Sequence, residues 1–162
     1  RFTAATYMAT ASELDPEDLL RKIARAGKVA RESGPAIVRL LGYCRRRWEE
    51  DPRRSRERLQ ATLDAGVFPV YEAEDGEVNI NYHPRNRERP GVVEEWLRLL
   101  KYHKQLPLER VTMAGNVLAR ILAGYWQDLN VRHEHSWCST LPRKDGEGPA
   151  ERRIACGNTR KR

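Results

Sequence analysis

Residues 34–44 read Gly34-Pro35-Ala36-Ile37-Val38-Arg39-Leu40-Leu41-Gly42-Tyr43-Cys44, followed by Arg45, Arg46, Arg47 and Trp48. From Ala36 to Tyr43 the run is almost unbroken apolar, with Arg39 the single charge. A run of this length between turn residues fits a strand covered on both faces, as inside a parallel sheet. The spacing therefore predicts a central strand over 36–43, with Cys44 at its carboxyl end. In open α/β sheets ligands bind at the carboxyl ends of strands, which makes Cys44 a candidate site residue beside the plainer reading of a buried core cysteine.

Upstream, Phe2, Tyr7 and Met8 predict an earlier strand. Asp15 then stands as an N-cap before Pro16, the pairing that opens helices. Leu19, Ile23, Ala26 and Ala30 recur at helical spacing and predict the buried face, with Arg21, Lys22, Arg25 and Lys28 facing water. Gly34 and Pro35 end this helix near Ser33. Strand, helix, strand is the alternation of an α/β fold.

Downstream, Asp51-Pro52 repeats the cap signal for a helix over 53–65. Its inner face carries Leu59 and Leu63, and its outer face Arg53, Arg54, Arg56, Glu57 and Arg58. Phe68 to Glu72 reads as a strand, Asp75-Gly76 as a hairpin turn, and Val78, Ile80 and Tyr82 as the alternating face of the return strand. Val92 to His103 is a third helix, with Val93, Trp96, Leu97 and Leu100 inward. Leu108 to Leu129 is a fourth, lined by Val111, Leu118, Ile121, Leu122, Tyr125 and Leu129. From Asn130 periodicity fades, and eight basic residues stand against four acidic ones. The expected organisation is one α/β unit over 1–128 and a disordered basic tail over 129–162.

The 162 residues suffice for a packed core. A charged fraction of 33% and a net charge of +7 permit a nucleic-acid or acidic-protein partner without requiring one. No apolar run approaches the roughly 18 residues needed to span a bilayer, and no signal peptide is present, so the expected location is cytoplasmic with no membrane partner. Three cysteines, Cys44, Cys138 and Cys156, are too few and too scattered for a disulfide framework. No paired carboxylates at catalytic spacing, phosphate-cradling glycine loop or Ser/His/Asp set occurs. Trp48, Trp96 and Trp126 are expected in the core.

Several segments together resemble a known family. They are Tyr7-Met8-Ala9-Thr10-Ala11-Ser12, Pro16-Glu17-Asp18-Leu19-Leu20-Arg21-Lys22, Gly34-Pro35-Ala36, Cys44 with Trp48 four positions on, Gly66-Val67-Phe68-Pro69-Val70-Tyr71-Glu72-Ala73-Glu74-Asp75-Gly76, and Val93-Glu94-Glu95-Trp96-Leu97 through Leu106. In order and spacing, over about residues 1–110, they resemble the C-terminal part of the β subunit of 2-oxoacid:ferredoxin oxidoreductases, the pyruvate synthase family. The resemblance implies a thiamine-diphosphate-binding α/β fold with a parallel sheet, a C-terminal hairpin and helices. It implies oxidative decarboxylation of a 2-oxoacid, pyruvate first, with coenzyme A, and electron transfer through iron–sulfur clusters to ferredoxin. It also implies the other subunits of that enzyme as partners. In that family the β subunit holds thiamine diphosphate and Mg2+ in an N-terminal segment and a 4Fe–4S cluster on four cysteines. The last of these matches Cys44, which the resemblance makes a cluster and metal ligand.

This sequence departs from the family where Arg45, Arg46 and Arg47 replace the usual Pro-Thr-Gly. Positive charge there would favour a reduced cluster and offer acidic ferredoxin a basic surface. The thiamine motif and the other three cysteines are absent and would lie before Arg1. The chain thus reads as a fragment expected to bind no cofactor and catalyse nothing by itself.

Two other readings compete. Helix 53–65 followed by hairpin 68–82 resembles a winged-helix nucleic-acid module, with the arginines gripping phosphates; a buried strand at 36–43 argues against it. His133, His135, Cys138 and Cys156 offer zinc-type ligands, but in no standard spacing.

Overall fold

The computed structural model describes residues 5–48 and 52–140, without the side chains of Arg47 and of residues 137–140. The chain forms β1 (Tyr7–Ser12), α1 (Pro16–Glu32), β2 (Ala36–Leu41), the single turn α2 (Arg45–Trp48), a 3-10 turn (Pro52–Arg54), α3 (Ser55–Asp64), β3 (Tyr71–Glu74), β4 (Glu77–Ile80), α4 (Val92–Leu99) and α5 (Leu108–Thr140). This is the expected α/β class. The sheet, however, is mixed. Its order is β2-β1-β3-β4, with β1 and β2 parallel and the other neighbours antiparallel.

The local signals act where the sequence places them. Asp15 Oδ1 accepts the Asp18 amide at 3.0 Å, and Pro16 opens α1. The amides of Ser33 and Gly34 both turn back to the Val29 carbonyl and close it. Asp75 and Gly76 both have positive φ, 50° and 86°, the combination that a two-residue hairpin matching the strand twist requires. The paired strand starts later than expected, at Tyr71, because the Thr10 hydroxyl binds the chain before it. That hydroxyl donates to the Pro69 carbonyl at 2.7 Å and accepts the Tyr71 amide at 2.9 Å.

Two layers of helix cover the sheet. On one face, α1 sets Val29 and Ala26 against Tyr7, Ala9, Ala36 and Val38. On the other, α5 sets Trp126, Leu129 and Leu122 against Tyr71, Val78, Ile80 and Ala73. A third cluster joins Ala65, Val92 and Val93 to Trp96, Leu118 and Leu122, fastening α4 to α5. Leu59 and Leu63 are buried as expected, as are Trp48 and Trp126, whereas Trp96 is half-buried.

Several expectations need correction. Ile121 and Tyr125 of α5 are exposed, and α4 ends at Leu99 rather than His103. The strand at 36–41 is an outer strand rather than a central one, and Ile37 and Leu40 are exposed. The inner face of α1 is Lys22, Ala26 and Val29, while Ile23 and Ala30 are exposed. Lys22 is buried because its ammonium reaches a strand carbonyl, and Arg58 of α3 is buried too. Finally, α5 runs unbroken through Asn130 to Thr140, because polar residues beyond that point continue its inner face by bonding to β4. Phe2, Asp51, Cys156 and residues 141–162 lie outside the described residues.

Candidate functional site

Cys44 follows the carboxyl end of β2 by three residues and is exposed. Its carbonyl accepts the Trp48 amide at 3.2 Å, which winds Arg45–Trp48 into one helical turn. Trp48 is buried and anchors that turn, while Arg45 and Arg46 are exposed. The thiol therefore stands between a strand and an anchored basic turn.

The approach to Cys44 is fixed from β1. Glu13, one residue past β1, accepts the Tyr43 amide on Oε1 at 3.0 Å. Its other oxygen lies 3.2 Å from where a Cβ on Gly42 would stand, so a side chain at position 42 would crowd this carboxylate. Glu13 also donates its own amide to the Leu41 carbonyl at 3.1 Å. One residue thus ties the two strand ends together through backbone and side chain. Sequence reasoning missed Glu13, whose partner is a backbone amide 30 residues away.

Beneath this end lies Lys22. Its side chain is 0% exposed, and Nζ donates to the Thr10 carbonyl at 2.8 Å and to Asp18 Oδ2 at 2.6 Å. Further along β3, Glu72 accepts two bonds from Arg21, at 2.9 and 2.7 Å, and one from the Tyr7 hydroxyl at 2.7 Å. Burial works to raise the Glu72 pKa, but the bonds from Arg21 and Tyr7 outweigh it and hold the carboxyl below its ordinary value. Burial, then the Glu72 bond, push the Tyr7 hydroxyl well above its ordinary value. Arg25 pairs with Glu74. These groups brace α1 against the sheet.

Other candidates resolve differently. An open cleft of about 620 Å3 is lined by Glu72, Glu74, Asp75 and Glu77. It sits at the hairpin end, since Glu74 pairs with Tyr7 at the start of β1, away from the end that carries Cys44. His133 does not face His135 across a metal. Its Nδ1 lies 2.9 Å from the Val78 carbonyl and so carries the proton there, and His135 is exposed. Among the described residues no group of three or more His, Cys, Asp or Glu side chains could hold a metal ion. Glu94 and Glu95 pair with Arg98 and Arg89 at the helix surface. The 68–82 hairpin is not a free wing, because it is half of the sheet and α5 covers it. Among the described residues no helix is long and apolar enough to cross a membrane.

A thiolate-held cluster of the 4Fe–4S kind needs four ligands. Cys44 fits one such position, being exposed and braced by Glu13 and Trp48. The described residues do not bring three more ligands to it, so they do not compose the site alone.

No protein-family model matches the chain. Curated proteins do. The chain is 33% identical over 105 residues to pyruvate synthase subunit PorB of Methanocaldococcus jannaschii, covering 65% of this chain and 33% of that protein. It is 33% identical over 105 residues to ketoisovalerate oxidoreductase subunit VorB of Pyrococcus furiosus, covering 65% and 32%. Against pyruvate synthase subunit PorB of Methanosarcina barkeri it is 31% identical over 129 residues, covering 78% and 40%. The resemblance read from the segments above is thus borne out over about two thirds of the chain, and the chain spans about a third of the length of the first two relatives.

Proposed function

We propose that this chain, similar to the B subunits of pyruvate synthase and ketoisovalerate oxidoreductase, serves as part of the β subunit of a 2-oxoacid:ferredoxin oxidoreductase. The enzyme in which it works decarboxylates a 2-oxoacid of the pyruvate class oxidatively, forms the acyl-coenzyme A and delivers electrons to ferredoxin. Thiamine diphosphate, Mg2+ and a 4Fe–4S cluster are the cofactors of that enzyme, and its other subunits and ferredoxin are the partners.

The observation that carries the reading is the 33% identity over 105 residues shared with subunits of two 2-oxoacid enzymes. The placement of Cys44 supports it. Within the assembled enzyme we assign Cys44 one ligand position of the cluster. A ligand must keep its sulfur in place as the cluster charge changes, and a short, braced connection limits its motion. Glu13 positions Cys44 through the Tyr43 amide, and the exposed Arg45 and Arg46 present positive charge beside it. The described residues do not complete a cofactor site, so no chemical step is assigned to them.

The test replaces Cys44 with serine in the complete enzyme, purified anaerobically, and measures iron content and cluster absorbance. The variant should lose about four irons per subunit or hold a cluster of altered absorbance. Wild-type values in both measurements would remove Cys44 from the ligand set. The chain on its own should not turn over pyruvate with coenzyme A and a viologen acceptor; turnover by the purified chain would contradict the assignment of the cofactor sites to the rest of the enzyme.

A further inference from the structure

The inner side of α5 is occupied. Leu122, Trp126 and Leu129 meet the sheet, and Leu118 and Ala119 meet α4. Toward the C-terminal end Ser136 Oγ accepts the Val78 amide at 2.6 Å, and His133 Nδ1–H donates to the Val78 carbonyl at 2.9 Å. The outer side carries a second, separate pattern. Arg110, Ala114, Val117, Ile121, Gly124 and Asp128 follow one another at intervals of four, three, four, three and four residues. That is the spacing of a seam along which one helix packs on another. Val117 is 45% and Ile121 62% exposed, and a Cβ on Gly124 would meet nothing within 4 Å, so among the described residues nothing covers the seam.

The seam is complementary to itself read backwards. A second copy laid antiparallel, across a two-fold axis at the level of Ala119, brings Val117 of each copy to Ile121 of the other, Ala114 to Gly124, and Arg110 to Asp128. The centre is then two apolar layers. The layers beyond them pair small residues, which let two helix backbones come close. An ion pair closes each end, the two ends lying about 27 Å apart along the helix. Other arrangements lose these pairs. A parallel pair sets Arg110 against Arg110 and Asp128 against Asp128, where like charges repel. Sliding the antiparallel pair by seven residues sets Asp128 against Val117 in one direction and Arg110 against Ile121 in the other. Charged residues in a helix seam fix its register and orientation in this way. Arg120 stands beside the seam and nears its own copy at the axis, and its long stem lets that charge turn to water.

We propose that two copies of this chain associate through the outer side of α5, as an antiparallel helix pair in which Arg110 and Asp128 bridge both ends. The association does not rest on the functional reading above. The partner is a second copy because the charges, the small residues and the apolar layers each find their counterpart in the same sequence reversed. Asp128 already accepts Arg132 Nε at 2.8 Å within its own helix, and a carboxylate has acceptor capacity for the partner's arginine as well. Its side chain is exposed, so the bridges lie at the rim, where they select the partner and its register more than they add strength. A contact with two apolar layers at its centre is short, so the pair formed by the isolated chain is weak and depends on concentration.

Sedimentation equilibrium of the purified 162-residue chain should show a reversible monomer–dimer equilibrium. Arg110→Asp and Asp128→Arg, each alone, turn two attractive pairs into two repulsive ones and should weaken self-association about tenfold. Mixed in equal amounts, the two variants should recover it as a heterodimer, because each offers the charges the other lacks. Both positions are exposed, so circular dichroism should show the fold unchanged. A chain that stays monomeric at millimolar concentration overturns the proposal. So does a mixture of the two variants that stays monomeric, or a dimer indifferent to both reversals, as one formed through the exposed strand β2 would be. Should a charge reversal disturb the helix, Ile121→Lys at an already exposed position gives the same reading; a dimer indifferent to it overturns the proposal.

Discussion

Replacing Lys22 with methionine should cost the fold about 2–3 kcal/mol, although the new side chain is apolar and enters a buried site. The size follows from what the ammonium holds. Two charge-assisted bonds are lost, to the Thr10 carbonyl at 2.8 Å and to Asp18 at 2.6 Å, each of a kind that contributes about 1.5–3 kcal/mol. Methionine fills much of the space, and relief from burying a charge offsets part of that loss. Asp18 is 15% exposed and keeps Arg21 at 2.7 Å, which lowers the cost further. The Thr10 carbonyl, whose residue is 2% exposed, is left without its partner. Urea unfolding followed by circular dichroism gives the loss directly. A double-mutant cycle with Asp18→Asn should then show a coupling of about 1–2 kcal/mol. A Lys22→Met chain within about 0.5 kcal/mol of wild type, or strictly additive single substitutions, would refute the reasoning.

Two further outcomes follow from the same structure. Because Arg21 and Tyr7 hold Glu72 below its ordinary value of 4.5, its contribution to stability is present above that pH and lost as pH falls below it; Glu72→Gln should flatten acid unfolding below about 4.5, and an unchanged acid profile would count against the network. Ser136→Ala strips the Val78 amide of its acceptor and should cost about 1 kcal/mol, with faster exchange at Val78; protection equal to wild type would show that the α5 clasp is not made in solution.

Much of the fold is legible where a signal is local. Asp15-Pro16 starts α1, Asp75-Gly76 turns the hairpin, and Leu59, Leu63, Val111 and Leu129 are buried at helical spacing. The misreadings share a cause: polar side chains doing the work of apolar ones through distant partners. Lys22 takes an inward slot because Thr10 offers a carbonyl, and α5 outlasts its apolar stripe because His133 and Ser136 bond to a strand backbone. The stretch 36–41 advertises burial, but a sequence does not say what supplies the cover. At the candidate site, Cys44 could be placed at a strand end, since that needs only the strand. Glu13 could not, since its purpose appears only when two strand ends meet.

The clasp of α5 on β4 also sets an order of events during synthesis. Val78 is made 58 residues before Ser136, the side chain that caps its amide. Until the ribosome has added that serine, the hairpin emerges with a bare outer strand, available to any neighbouring nascent chain. At roughly 5–20 residues per second that synthesis takes seconds, against microseconds for forming the hairpin. The vulnerable interval therefore belongs to translation rather than to the finished molecule. A premature stop anywhere between Ile80 and Ser136 would make that interval permanent, and one before Trp126 would also strip the sheet face that α5 covers, yielding chains that stick through β4 and that face.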